Sequence, residues 1–199
     1  NLESPLTDAR RRIDKEIVLK SRPENTELLA NAGVSAVTLA NNHISDYRVK
    51  GLIDTQSNLT TSGIEFVGAG LNIEQAAAPL FLKASGVRVA IVNFSQYDGP
   101  TAPAATLSSP GQAYFGTTYF RRSLEQARDN ADFVIAVLHH GTEYEDFPDE
   151  EQIVKSRQAV EFGADVVIGH HPHITQGIEE FLGKPIFYSI GNFVFDQET

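Results

Sequence analysis

The residues able to do chemistry fall in a few tight groups. His43 stands in Asn41-Asn42-His43 with Asp46 three positions on, His139 and His140 precede Gly141 and Glu143, and Gly169-His170-His171-Pro172-His173 places three imidazoles in four positions. Neutral imidazole binds metals near neutral pH, and a glycine beside it lets the backbone approach a ligand closely. In extended backbone, residues two apart project to the same side, so His171 and His173 can grip one ion or two adjacent ones, with Pro172 stiffening the span. Asn192 adds an amide oxygen and Glu3 a carboxylate. The chain contains no Cys and no Met, so this nitrogen and oxygen donor set suits zinc, manganese, iron or nickel and disfavours copper(I). More than four candidate donors point to two metals about 3.5–4 Å apart, which activate a bridging water and clamp both oxygens of an in-line displacement. His43 is the expected acid, its ring oriented by Asp46.

Several of these residues also have purely structural readings. Asn41-Asn42-His43 reads equally as an Asn-rich turn capping a strand, and the stretch around Asn192 as a turn closing a sheet. The run 169–173 looks like a fragment of a purification tag, but tags sit at termini and this run follows an apolar strand.

Apolar runs at 34–40, 87–94, 133–138, 164–168 and 185–190 alternate with helical patterns, which argues for βαβ units around a mainly parallel sheet. Residues 64–68 are a weaker strand candidate. Helices are expected over 23–32, 49–59, 123–131 and 152–162, the third opening on Ser123 as N-cap and the first and last stopping at Gly33 and Gly163. All six histidines then fall just beyond the carboxyl ends of strands, the rim where open α/β sheets bind ligands. Residues 95–116, rich in Pro, Gly, Ala, Ser and Thr, read as a long surface loop, either a lid beside the site or a tolerated insertion.

With 199 residues, one domain over 1–199 is the leading expectation. The absence of Cys excludes disulfides, thiolate metal sites and a cysteine nucleophile. A net charge of −10, from 16 Lys and Arg against 26 Asp and Glu, disfavours a nucleic-acid surface, the one basic cluster being Arg10-Arg11-Arg12. No apolar run approaches the roughly 20 residues of a membrane span. No Gly-x-Ser-x-Gly element supports a serine nucleophile. A chain that starts at Asn1 without any methionine is expected to be a processed or trimmed piece.

Asn1-Leu2-Glu3, Ala40-Asn41-Asn42-His43 with Asp46, Gly68-Ala69-Gly70, His139 with Gly141 and Glu143, the run 169–173, and Ser189-Ile190-Gly191-Asn192-Phe193 together resemble the CapA family of poly-γ-glutamate capsule biosynthesis proteins. The resemblance extends from Asn1 to about Asp196, in the family's order. It implies a calcineurin-like metallophosphatase sandwich of α/β/β/α layers, with mostly parallel strands and a two-metal site at their carboxyl ends. It implies Asn42, His139, His171 and His173 as ligands and His43 as the acid, with Glu3 in place of a bridging carboxylate. The run 169–173 aligns two ways, which makes His170 an alternative ligand; His140, Glu143 and Asn192 are secondary candidates. Where the family commonly has Trp after the first of these rim histidines, this chain has His140, either an added ligand or a replacement for a stacking ring. The family's Gly-Asp first strand, whose Asp is a further expected ligand, and its C-terminal end are not in the chain.

The expected cofactors are two divalent transition metal ions, Mn, Zn or Fe. The expected function is metal-dependent hydrolysis in capsule or poly-γ-glutamate biosynthesis at the cell surface, outside the cytoplasm, with anchoring through an upstream segment. An anionic polymer or a phosphate ester is the expected substrate, membrane-bound synthase components are expected partners, and no nucleic acid is expected. The alternative is a non-catalytic polymer-binding or assembly component, and the two differ in whether removing His43 or His171 abolishes hydrolysis. The acidic surface repels a polyanion overall, so binding one needs metal or a local basic patch.

Overall fold

The computed structural model describes residues 1–195; Asp196, where the resemblance ends, lies outside them. A six-stranded sheet forms the centre, built from β4 (Leu80–Ala84), β5 (Val87–Ser95), β7 (Phe133–His139), β8 (Val166–His170), β9 (Ile178–Phe181) and β10 (Lys184–Phe187), in the order β4-β5-β7-β8-β10-β9. The four middle strands run parallel, and β4 and β9 pair antiparallel at the two edges. The edges escape a search for apolar runs because their side chains alternate between half-buried and exposed. The central strands β5, β7 and β8 instead spell runs rich in Val and Ile.

Two smaller pairs complete the strands. Parallel β1 (Ala36–Thr38) and β2 (Glu65–Val67) enclose α2 (Arg48–Thr61) in sequence, and β3 (Ala69–Gly70) pairs with β6 (Gly111–Gln112). β2 touches β4 and β5, setting the small sheet against the large one. Asn93 of β5 ties them: its Oδ1 accepts the Ala40 N–H at 2.6 Å, and its Nδ2 donates to the Val137 carbonyl at 3.0 Å. Gly68, at φ +100°, passes so close that a Cβ there would lie 1.9 Å from Asn93 Oδ1.

The helices are α1 (Asn25–Asn31), α2, α3 (Ile73–Ala76), α4 (Tyr119–Asn130) and α5 (Glu150–Glu161). Asp149 caps α5 through a capping box, its Oδ1 accepting from Gln152 N at 2.8 Å while Gln152 Oε1 accepts from Asp149 N at 3.0 Å. Ser123 is not the N-cap of α4. The helix starts one turn earlier at Tyr119, and Ser123 is buried within it, donating to the Ala77 carbonyl at 2.7 Å. Its hydroxyl is satisfied by a carbonyl distant in sequence, just after α3, so it is not needed as a cap.

The main core lies between the large sheet and α4 and α5, with Phe94, Phe120, Leu124, Leu138 and Ile186 among its members; a second core joins Leu6, Leu39, Ile44, Leu52, Leu59 and Ile64 around β1, β2 and α2. Burying each such side chain contributes about 1.5–3 kcal/mol. Residues 95–116 are not a surface loop. Ala105, Ala113 and Phe115 enter the main core, and β6 pairs with β3. The small Ala residues let this Pro-rich stretch pack closely without regular periodicity.

Candidate metal centre

β7 and β8 bring the first two histidines together, because their register sets His139 opposite His170 at the carboxyl ends of both strands. His139 is 1% exposed, and its Nε2 lies 3.0 Å from Asn42 Oδ1. Its Nδ1 is 3.4 Å from Asn1 Nδ2 and 3.9 Å from Glu3 Oε1. Glu3 reaches this point because Leu2 joins the edge of β1, its N–H donating to the Thr38 carbonyl at 3.0 Å.

The turn after β1 reconciles its two readings. Asn41 is the turn former: its Oδ1 accepts the N–H groups of His43 and Ile44 at 3.0 and 2.9 Å, and its Nδ2 donates to the Leu2 carbonyl at 2.9 Å. Asn42 and His43 are thereby presented to the rim. His43 Nδ1 is 2.8 Å from Asp46 Oδ2 and 3.2 Å from Lys15 Nζ; with Nδ1 donating along the shorter contact, Nε2 is left for the site. Asp46 is fully buried and also accepts the Leu19 N–H at 2.7 Å and pairs with Lys15 Nζ at 2.6 Å. Lys15 donates as well to the Asn42 carbonyl at 2.9 Å.

His171 and His173 converge by a different route from the one the spacing suggests. The backbone is not extended: His171 has φ 104° and His173 φ 62°, and the rings reach a centroid separation of 6.0 Å around a left-handed turn. Non-glycine residues adopt such angles at a cost of about 1–3 kcal/mol each, a strain that gathers at binding sites. Gly169 makes the turn possible by close approach, since a Cβ there would lie 1.9 Å from the Tyr188 carbonyl oxygen. The His171 ring is 4.9 Å from that of His139, and its Nε2 meets the Tyr97 hydroxyl at 2.5 Å. Its Nδ1 is buried without a partner. His173 Nδ1 is 2.9 Å from Asn192 Oδ1, and its ring lies between those of Tyr144 and Phe195. Glu143, His171 and His173 each offer a donor atom, all within 4.8 Å of one another.

His140 turns the other way, into the main core beside Phe115, fully buried with both ring nitrogens unpartnered. His170 is half-buried at the end of β8. Sequence reasoning missed Lys15 and Tyr97. Both come from irregular backbone, and only the close spacing of Arg10-Arg11-Arg12 and Lys15 marked the first of these stretches at all.

The electrostatics follow from burial. Loss of water holds His139 well below the ordinary imidazole range, helped by His171, His170 and His43, and lowers His171 to about 4, helped by His173 and His43. Burial likewise lowers His140 and His170 to about 3. The Glu3 carboxyl is pushed up by burial, an effect partly offset by His173 and His43, and its Oε2 has no partner. The rim is thus a set of neutral imidazoles and a desolvated carboxyl with unsatisfied atoms, whose chemistry fits a divalent cation. Glu143, His171 and His173 bring donor atoms within reach of one ion, and Asn42, His139 and Glu3 stand in contact along the same rim.

Residues 1–197 match the family model described as bacterial capsule synthesis protein PGA_cap. The chain belongs to this family. It is 35% identical over 200 residues to the PGA biosynthesis protein CapA of Bacillus subtilis strain 168, covering 99% of this chain and 52% of that protein. It is 36% identical over 189 residues to the capsule biosynthesis protein CapA of Bacillus anthracis, covering 92% and 46%. This PGA_cap chain therefore spans about half the length of these relatives. Among solved structures, a putative 5'-nucleotidase from Staphylococcus aureus superposes with a TM-score of 0.55 at 17% identity, over 86% of this chain and 38% of that one. The two share the metallophosphatase fold, an α/β architecture with a mixed sheet.

Proposed function

We propose that this PGA_cap domain is a metal-dependent hydrolase-like component of poly-γ-glutamate capsule biosynthesis, working at the cell surface on an anionic polymer or a phosphate ester. The single observation that carries the reading is the unsatisfied donor set at the strand ends: buried His171 Nδ1 and Glu3 Oε2 lack partners beside the His139–Asn42 contact. Buried polar atoms are ordinarily bonded, and with the donor atoms of Glu143, His171 and His173 within 4.8 Å of one another these unpartnered atoms support a cation at the rim. When bound, one or two divalent metals supply Lewis acidity and lower the pKa of a coordinated water. The chain's own residues do the remainder. Asp46 fixes the His43 tautomer through Nδ1, so a protonated His43 can deliver its Nε2 proton to a leaving oxygen or nitrogen. Lys15 neutralises Asp46 and holds the Asn42 carbonyl, which keeps the turn and both its site residues in register. Tyr97, whose hydroxyl is pushed up by burial, stays protonated and steadies the His171 ring. The synthase and export proteins of a capsule system are the partners this reading implies.

The test is metal content by mass spectrometry, together with hydrolysis of bis-p-nitrophenyl phosphate and of γ-glutamyl peptides, in wild type, His43→Ala and His171→Ala. The reading expects bound transition metal that His171→Ala removes, and hydrolysis that both variants lose. Metal-free protein with hydrolysis untouched by either change rejects it in favour of a polymer-binding component.

A further inference from the structure

The positive charge of this acidic chain is unevenly placed and unevenly used. Eight of the 16 Lys and Arg residues lie in the first 50 positions. Of the other eight, Arg88, Arg121, Arg122, Arg128, Arg157 and Lys184 are in ion pairs. In the first 50 positions, Arg10, Arg11, Arg12, Lys20, Arg22 and Arg48 make no ion pair among the described residues. All six are exposed. Asp8, Asp14 and Glu16 are exposed on the same segment, yet none of them pairs with these cations.

The arginines are held rather than loose. Ala9 and Ile13, on either side of them, are 6% and 8% exposed. The Ala9 N–H donates to Thr7 Oγ1 at 2.9 Å, the Ile13 N–H donates to the Asp46 carbonyl at 2.9 Å, and Arg48 Nε donates to the Arg12 carbonyl at 3.3 Å. The same segment then passes the His43 turn, where Lys15 and Leu19 bind Asp46. Three residues of chain separate Arg12 from Lys15, at most about 11 Å. Like charges fixed side by side repel one another, and among the described residues no ion pair offsets the repulsion.

From this we infer that the segment from Arg10 to Arg22, with Arg48, is a docking track for a linear polycarboxylate, leading it to the histidine rim. The inference rests on the reading of that rim as the working site. A linear occupant fits because the cations follow one helix-free segment of chain that passes the buried His43–Asp46 pair midway. The track supplies the local basic patch that an otherwise repulsive surface needs.

The probes are poly-γ-glutamate and, separately, phosphatidylglycerol vesicles, tested on wild type, on Arg10→Gln/Arg11→Gln/Arg12→Gln, and on a charge-matched control, Lys83→Gln/Arg121→Gln/Arg122→Gln. The arginine variant is expected to bind poly-γ-glutamate about tenfold more weakly with a shallower salt dependence, and the control to change less than about twofold. Metal content stays at the wild-type level in both, so loss of metal reports on the rim and loss of polymer reports on the track. Equal weakening in the control, unchanged polymer affinity in the arginine variant, or weakening for vesicles alone each overturns the inference.

Discussion

Asp46 and Asp165 are the same device used at opposite ends of the sheet, and what each is paired with separates a structural site from a working one. Asp165 precedes β8 at its amino end, where Arg128 Nη1 at 2.7 Å, Lys184 Nζ at 2.8 Å and the Val134 N–H at 2.8 Å saturate it. Arg88 and Asp132 close the neighbouring strand start in the same way. Asp46, at the rim end, spends one oxygen on His43, whose other nitrogen remains for chemistry. At the same rim Glu3 Oε2 and His171 Nδ1 are buried without partners. The amino end has its charges balanced, whereas the rim keeps an unfilled demand, and proteins leave such demands where a ligand meets them.

The largest effect that would sharpen this contrast is expected from His139→Ala or His171→Ala. Each should lower metal affinity by at least about 100-fold, read by competition with a chelating dye, while thermal stability of the metal-free protein stays level or rises. His43→Ala comes next, with hydrolysis falling by about 10²–10⁴ at unchanged metal content. Asp46→Asn should fall between wild type and His43→Ala.

These rim residues were largely legible in the sequence because a two-sided strand announces itself as an apolar run, and its end locates whatever follows. That is why His139 and His171 could be assigned to one rim. Lys15 and Tyr97 were not legible, since irregular backbone carries no period. Nor was the left-handed turn at His171 and His173: the spacing of two suggests an extended span, and nothing in Pro172 requires the positive φ at both neighbours. Asp165 was equally hidden, since its role depends on Arg128 and Lys184, 37 and 19 residues away.

At the amino end the expected effect is on stability alone. Asp165→Asn should cost about 2 kcal/mol in denaturant unfolding, with metal affinity unchanged. Loss of metal in that variant would break the comparison. Acid separates the two ends further. The rim histidines titrate at lowered values in the fold, His171 about 4 and His170 about 3, against an ordinary 6.5. The unfolded chain therefore takes up protons first, and the metal-free protein loses stability as pH falls from 6.5 towards 4. Asp132 is held at about 2 by Arg88, and Asp165 lies below the ordinary 3.8 through Lys184, Val134 and Arg128 acting against burial; their contribution is intact above about 4 and is lost below it. Two successive acid phases should appear in equilibrium unfolding, and saturating metal should suppress only the upper one. The smallest effect is expected from Tyr97→Phe, which frees the His171 ring and should weaken metal binding by only about 3- to 10-fold.

The central claim is that the rim's unsatisfied donors are a metal site. An anomalous difference map from crystals grown with manganese tests it most directly. The account predicts peaks among Glu3, Asn42, His139, His171 and His173; a rim without a peak at saturating manganese would contradict it.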